Sequence, residues 1–249
     1  MKTALTMTKP ELIYPEWAAP ANVTAYSTTR LGGISEGQYQ GLNVGMHVGD
    51  DPQHVQANRN GLPGADKLVW LNQVHGTHCK LLSATPDDLP ADASISRSTA
   101  KWCAVMTADC VPILLCDRDG SEVAAIHAGW QGLAHHIIGG VIATMQSAAT
   151  DLIAWIGPAI SGPCYQVDAT LAARFKDFPA AISADPVAGK FRLDLNYIAA
   201  AQLSAAGVSM VTQSGLCTYR QPHQFYSHRY AQHHHATPTG RIVTVIGLT

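Results

Sequence analysis

One cysteine and two histidines stand out in this chain as residues able to do chemistry together. His75 in LNQVHGTHC, Cys110 in TADCVP and His127 in VAAIHAGWQG each sit at a short Gly- or Pro-punctuated junction where a strand ends. A thiolate and two imidazoles suit a borderline metal such as zinc, and three protein ligands leave the fourth tetrahedral position open for water or substrate. No local spacing such as CxxC or HExxH joins the three, so this reading depends on the fold bringing them together. Taken singly, each would be a buried thiol or a hydrogen-bonded imidazole, which are the commoner fates of these residue types.

The elements that must position them are legible as alternating strand and helix signals. Residues 22–29 (NVTAYSTT) have β-branched strand character and run into the glycine-rich RLGGISEG. A helix follows in which Asp50 or Asp51 caps, Pro52 occupies the first turn and Gly61 ends it. KLVWLNQVHG reads as a strand delivering His75 at its exit. KWCAVMTA is a strand, DCVP a break, PILLCD an apolar run, DRDG a turn and SEVAAIHAG the returning strand, which places Cys110 and His127 at neighbouring ends. From Trp130 onwards Leu133, Ile137, Ile138, Val141, Ile142 and Met145 recur at helical spacing, predicting one helix through that stretch. The last third alternates again: strand in DLIAWIGPAI, helix over about 169–175, strand FRLDL, helix NYIAAAQLSAAG, then strands SMVTQ and RIVTVIGL. Strands alternating with helices imply an α/β (α+β) architecture, and the hairpin at DRDG argues for a mixed sheet over a purely parallel one.

The 249 residues suffice for one large domain with a full core, and no low-complexity linker divides them, so a single domain over 1–249 is expected. A net charge of −2, with 16 Lys and Arg scattered along the chain, offers no basic stripe for nucleic acid. The start, MKTALTMTKPELIYPEW, has no apolar h-region, and no later stretch approaches a membrane span. A cytoplasmic enzyme acting on a small molecule is the expectation, with its six cysteines reduced.

Gly129 begins the turn into the helix after His127. Helix N-termini present unpaired N–H groups and a positive dipole end, so phosphate could approach there; equally, Gly129 and Gly132 could serve only a tight strand-to-helix turn. With these residues in view, the chain resembles the laccase-domain family of YfiH-type purine nucleoside phosphorylases, formerly described as multicopper polyphenol oxidoreductases. The words that carry the resemblance run nearly end to end: TTRLGGISEG, LNVGMHVGDDPQHVQANR, NQVHG, Ala91-Asp92-Ala93, VMTADCVPILLCD, VAAIHAGWQGL, IGPAISGPCYQV, and CTYRQPHQFYSHR followed by TGR.

The resemblance implies zinc on His75, Cys110 and His127, with copper as the alternative metal, and sheet packed on sheet with helices outside. It implies phosphorolysis of adenosine, inosine and S-methyl-5'-thioadenosine, and deamination of adenosine. The partners it implies are a purine nucleoside and phosphate, acting on an expected monomer. Arg30, Arg59 and Arg229 lie inside matching words and are candidates for phosphate or ribose contacts, or else loop-anchoring residues. Asp109, directly before Cys110, is either a proton carrier or a residue that orients the ligands. Two departures stand out. Gln131 occupies the position of a family arginine beside the proposed anion site, and Tyr230-Ala231 followed by QHHHATP replaces the usual Arg-Asp. His233, His234 and His235 in that stretch are expected on an exposed loop. Two other readings remain: a copper polyphenol oxidase, and a hydrolase or amidase of peptide-like substrates, linked to cell-wall precursor editing, in which His127 activates Cys110 as nucleophile.

Overall fold

Every residue of the strand Val111–Asp117 is buried, and the two-residue period of a strand explains how an unbroken apolar run can be satisfied on both faces. Ile113 and Leu115 join a core shared with the helices, whereas Leu114 and Cys116 face a second sheet. The computed structural model describes residues 8–82 and 89–249. In it the strand lies inside a six-stranded sheet ordered Met210–Gln213, Leu152–Ile156, Val111–Asp117, Val123–Ala128, Ala93–Ser96, Cys79–Leu81. The two edge pairs are parallel and the inner pairs antiparallel, so the sheet is mixed as expected.

A five-stranded sheet packs against it, ordered Leu12–Ile13, Val23–Thr28, Ile242–Leu248, Trp102–Thr107, Leu68–Trp70. The layer between the sheets is filled by Cys103 and Val105 from one side and Leu114, Val123 and Trp155 from the other. Each large aliphatic residue buried there stabilises the fold by about 1.5–3 kcal/mol relative to exposure. On the outer face of the six-stranded sheet, Trp130–Ala134, Ile137–Thr144 and Leu195–Ala205 form a helical layer through Leu133, Ile137, Val141, Ile198 and Leu203. A small antiparallel sheet of Gln166–Asp168, Lys190–Leu193 and Ile182–Ala184 completes the layered α/β arrangement.

Local chemistry follows the sequence at most boundaries. Asp51, not Asp50, caps the helix Pro52–Asn60 by accepting the Gln53 N–H at 2.8 Å, and Gly61 closes it. Asp50 instead accepts hydrogen bonds from Ser35 Oγ (2.6 Å) and Asn43 Nδ2 (2.9 Å). The DRDG turn has Gly120 at φ +65°, while Asp117 accepts the Ser121 N–H (2.7 Å) and the Glu122 N–H (2.9 Å).

Three expectations need correction. The strand expected to run to His75 stops at Trp70 and gives way to a loop. The single helix expected from Trp130 is two helices, because His136 adopts a left-handed conformation (φ 57°) that breaks the ladder and caps the second helix. The apolar spacing survives the break because Leu133, Ile137, Ile138 and Val141 still reach the core. The stretch expected as an exposed loop begins inside a helix, His228–His233, whose N-cap Ser227 accepts the Tyr230 N–H at 3.1 Å. His233 is therefore helical, and its Nδ1 is 2.9 Å from the Tyr219 hydroxyl. Among the described residues no helix is long and apolar enough to cross a membrane, and all six cysteines are free.

Candidate metal centre and its cavity

The hairpin register sets two of the three donors. Val111 pairs with Ala128 and Pro112 with His127, so Cys110 just before one strand lies beside the end of the other. The third, His75, comes from the loop beyond Trp70 with φ 60°, and its Nε2 sits 3.9 Å from Cys110 Sγ. The imidazoles of His75 and His127 meet edge to face with centroids 4.8 Å apart, and the three donor atoms all lie within 4.8 Å of one another. Tetrahedral zinc with its usual bond lengths separates sulfur from nitrogen by roughly 3.5 Å. The observed spacing fits such an ion after small side-chain adjustment. Gly129 is what allows this approach: a Cβ there would fall 3.1 Å from both Cys110 Sγ and His75 Cδ2.

The electrostatics bind thiol and imidazole into a pair. Burial pushes the Cys110 thiol up, but the His127 imidazole and then His75 outweigh it and hold the group at about 6. Burial pulls His127 down, but the Cys110 sulfur and the Asp92 carboxylate outweigh it and raise it to about 9. The pair is thus thiolate and imidazolium at neutral pH when no ion replaces the proton.

The group opens into a cavity of about 420 Å³. Arg229 and Arg241 both line it, as do His47 and His228. Arg229 donates from Nη1 to Gln166 O at 2.7 Å and stacks over Tyr165 at 4.9 Å. Both side-chain hydrogen bonds found for Arg241, to Thr239 O (2.8 Å) and Gly240 O (3.1 Å), use Nη1. Among the described residues its Nε and Nη2 have no hydrogen-bond partner. Burial, and then the Arg241 charge, lower the imidazoles of both His47 and His228, which keeps them neutral beside the guanidinium.

Asp109 lines the cavity with φ 103° but serves the scaffold directly. Its carboxylate accepts from Thr218 Oγ1 and from the Arg229 backbone N–H, each at 2.7 Å, which fixes the start of the helix that carries Arg229. The other sequence candidates lie elsewhere. Arg30 donates to Pro222 O (2.9 Å) and Gln40 O (3.3 Å), stacks on Tyr226, and lines a different cavity under the glycine-rich loop. Arg59 packs over Trp70 at 3.7 Å and donates to Val44 O at 2.8 Å; neither Arg59 nor Gln131 is among the residues lining the metal-donor cavity.

Sequence reasoning did not single out Asp92, Arg241, His47, His228 or Gln232, the last of which also lines the cavity. The signals were present, since Asp92 lies in Ala91-Asp92-Ala93, Arg241 ends TGR, His47 lies in LNVGMHVGDD, and His228 is in FYSHR. Asp92 is fully buried. Burial pushes its carboxyl up, but the His127 imidazole and the backbone N–H groups of Gly76 and Val74 outweigh that and leave it below the usual carboxylate range.

With this mixed layered fold and its His-Cys-His donor group, the chain matches over residues 24–249 the family described as multi-copper polyphenol oxidoreductase laccase, and it belongs to this laccase-domain, YfiH-type family. It is similar to a relative from Escherichia coli K12 named purine nucleoside phosphorylase YfiH, with 38% identity over 245 residues, 96% of this chain and 99% of the relative. A Pseudomonas aeruginosa protein named purine nucleoside phosphorylase is 40% identical over 245 residues, covering 94% of this chain and 97% of its own. Among solved structures, a Neisseria meningitidis protein superposes with TM-score 0.85 at 39% identity, over 95% of this chain and 98% of that one. YlmD from Geobacillus stearothermophilus gives TM-score 0.83 at 30% identity, over 97% and 99% respectively.

Proposed function

We propose that this chain is a zinc-dependent purine nucleoside phosphorylase that cleaves adenosine, inosine and S-methyl-5'-thioadenosine with phosphate, and also deaminates adenosine. The observation that carries the reading is the single cavity in which the three metal donors share walls with Arg229 and Arg241. The names of the similar proteins from Escherichia coli and Pseudomonas aeruginosa support the same reaction class.

His75, Cys110 and His127 would hold the metal, which when bound supplies Lewis-acid polarisation to the cavity. The guanidiniums of Arg229 and Arg241 hold phosphate by charge-assisted hydrogen bonds and present one of its oxygens to C1' of the ribose. That C–O bond forms as the bond from C1' to the purine nitrogen breaks. The base departs with the bonding pair and takes up one proton, leaving ribose 1-phosphate. His47 and His228, neutral beside Arg241, are suited to hydrogen-bonding sugar hydroxyls without competing with Arg for the anion. In the second activity water replaces the C6 amino group of adenosine, and inosine and ammonia leave.

The test is a nucleoside screen with and without phosphate on protein of measured metal content. Free base and ribose 1-phosphate are expected only with phosphate, whereas inosine from adenosine is expected in its absence. Base release that ignores phosphate would make the enzyme a hydrolase.

One observation favours a second reading: the lowered Cys110 thiol beside His127 is also the arrangement of a cysteine nucleophile. Rapid alkylation of Cys110 in the metal-loaded protein, with loss of activity but no loss of metal, would favour that reading. A multicopper oxidase needs a cluster of histidines beyond the first copper site. Among the described residues His75, Cys110 and His127 form the one group of at least three His, Cys, Asp or Glu donors that could hold a metal ion.

A further inference from the structure

We infer that Asp92 is the positioning residue of the donor group, setting the ligating nitrogen of His127 and the loop that presents His75 through one buried carboxylate. The inference rests on the metal reading above. It starts from hydrogen bonds that the reaction itself does not use. Oδ1 accepts the backbone N–H of His75 at 2.9 Å and pairs with His127 Nδ1 at 2.7 Å. Oδ2 accepts the N–H groups of Val74 (3.2 Å) and Gly76 (2.7 Å). The backbone of the same residue accepts the His127 N–H at 2.7 Å, so Asp92 grips both the main chain and the ring of that histidine.

Each of these bonds has a consequence for ligation. A carboxylate can only accept, so the nitrogen facing it must carry hydrogen. His127 therefore keeps Nδ1–H toward Asp92 and offers Nε2 to the cluster. On the other side, three successive N–H groups converge on one anion, which holds the loop in a conformation where His75 has φ 60°, costly for a non-glycine residue unless its surroundings fix it. Without this anchor the Val74, His75 and Gly76 N–H groups would lose the acceptor they share, and the donor that arrives from outside the hairpin would lose its placement.

Asp92→Asn is the discriminating change because it keeps size while replacing one acceptor oxygen by a donor. With the amide nitrogen at the Oδ2 position it confronts the Val74 and Gly76 N–H groups. At the Oδ1 position it confronts the His75 N–H and drives His127 toward the tautomer whose Nε2 carries hydrogen and cannot ligate. The measurement is zinc affinity of the full chain by competition with a chromophoric chelator, with thermal unfolding recorded in parallel. D92N should bind zinc about 10–100-fold more weakly than the unchanged protein. Asn58→Ala serves as control, since Asn58 is a buried hydrogen-bonding residue of the Ser35 and Asn43 region outside the cavity lining, and it should lower the unfolding temperature without moving zinc affinity.

Equal zinc affinity in D92N and the unchanged chain overturns the inference while leaving the metal reading intact; an unchanged chain that takes up no zinc overturns both. Should D92N fail to fold, imidazole nitrogen NMR of the zinc-loaded, unaltered protein decides. Hydrogen on Nδ1 of His127 is the expected result, and hydrogen on Nε2 would overturn the assignment.

Discussion

Two of the arginine-bearing cavities of this molecule differ in a way that size alone misjudges. The one under the glycine-rich loop, at about 820 Å³, is the larger, yet its Arg30 is spent on two carbonyl oxygens and the face of Tyr226. The one at the strand ends, about 420 Å³, gathers a thiol and imidazole that shift each other, together with two guanidiniums. Titratable groups that perturb one another mark a chemical site more reliably than volume does. An arginine in a matching sequence word can simply hold a loop.

The comparison breaks most directly at Cys110. Cys110→Ala should remove stoichiometric zinc and lower phosphorolysis by at least about 100-fold, since losing a ligand must exceed the loss of a residue that merely supports one. Retained metal at one ion per chain, measured by elemental analysis, would remove the proposed centre.

A pH experiment on metal-free protein sharpens the same contrast. The Cys110 group is lowered to about 6, so its alkylation rate should rise with pH through that region and then level off. Cys79, Cys103 and Cys116, which burial raises to about 12, should stay unreactive throughout. For stability the signs oppose. The lowered thiol contributes stability that is lost as pH falls through about 6, and the raised His127 contributes stability that is lost as pH rises through about 9. Between those values the two slopes offset, so this pair should leave the metal-free protein's stability nearly flat with pH. An alkylation midpoint near 9 would show that His127 does not hold the thiolate.

Next in size are the arginines. Changing Arg229 or Arg241 to Gln removes a charged hydrogen-bond donor worth about 1.5–3 kcal/mol, or roughly 10- to 100-fold in kcat/KM for phosphate. Deamination should suffer less, and Arg30→Gln should change phosphorolysis by less than about threefold. Equal damage from all three would place the anion elsewhere.

Gly129→Ala should weaken zinc binding by a smaller factor, roughly 10-fold, because its methyl group would press on Cys110 and His75 while leaving every donor present. Replacing His233, His234 and His235 together by Ser should do least. It removes the bond to Tyr219 and a ring stacked on Tyr230, costing about 1 kcal/mol of stability, with turnover nearly unchanged. A large loss of activity in the still-folded variant would show that the helix carrying Arg229 and Gln232 is tuned by those histidines.

The hairpin that brings Cys110 to His127 was legible because PILLCD, DRDG and SEVAAIHAG state their own structure through burial pattern and turn residues. Ala93–Ser96 was not, since four residues of Ala, Ser and Ile carry little strand preference and are held by pairing with Val123–Ala128. The residue before that strand is Asp92, so the missed element concealed the missed side chain. Arg241 escaped for a related reason: it precedes the last strand of the five-stranded sheet, far in sequence from the donors, and only packing of the two sheets places it beside them. The break at His136 and the short helix at His228 likewise depend on local conformations and ring contacts that apolar periodicity does not encode.

The long separations between the donors tie the centre to folding. In the unfolded chain His75 and Cys110 are 35 positions apart, so an ion gripping both shuts a loop of that length, and His127 adds another. Such an ion would act as a removable staple between the two sheets' end segments, binding the folded chain far better than the unfolded one. At a thousandfold excess of free ion over its dissociation constant, that preference stabilises the protein by about 4 kcal/mol. Starvation for metal would then shorten the protein's lifetime as well as silence it, through a larger fraction of unfolded chains open to proteolysis.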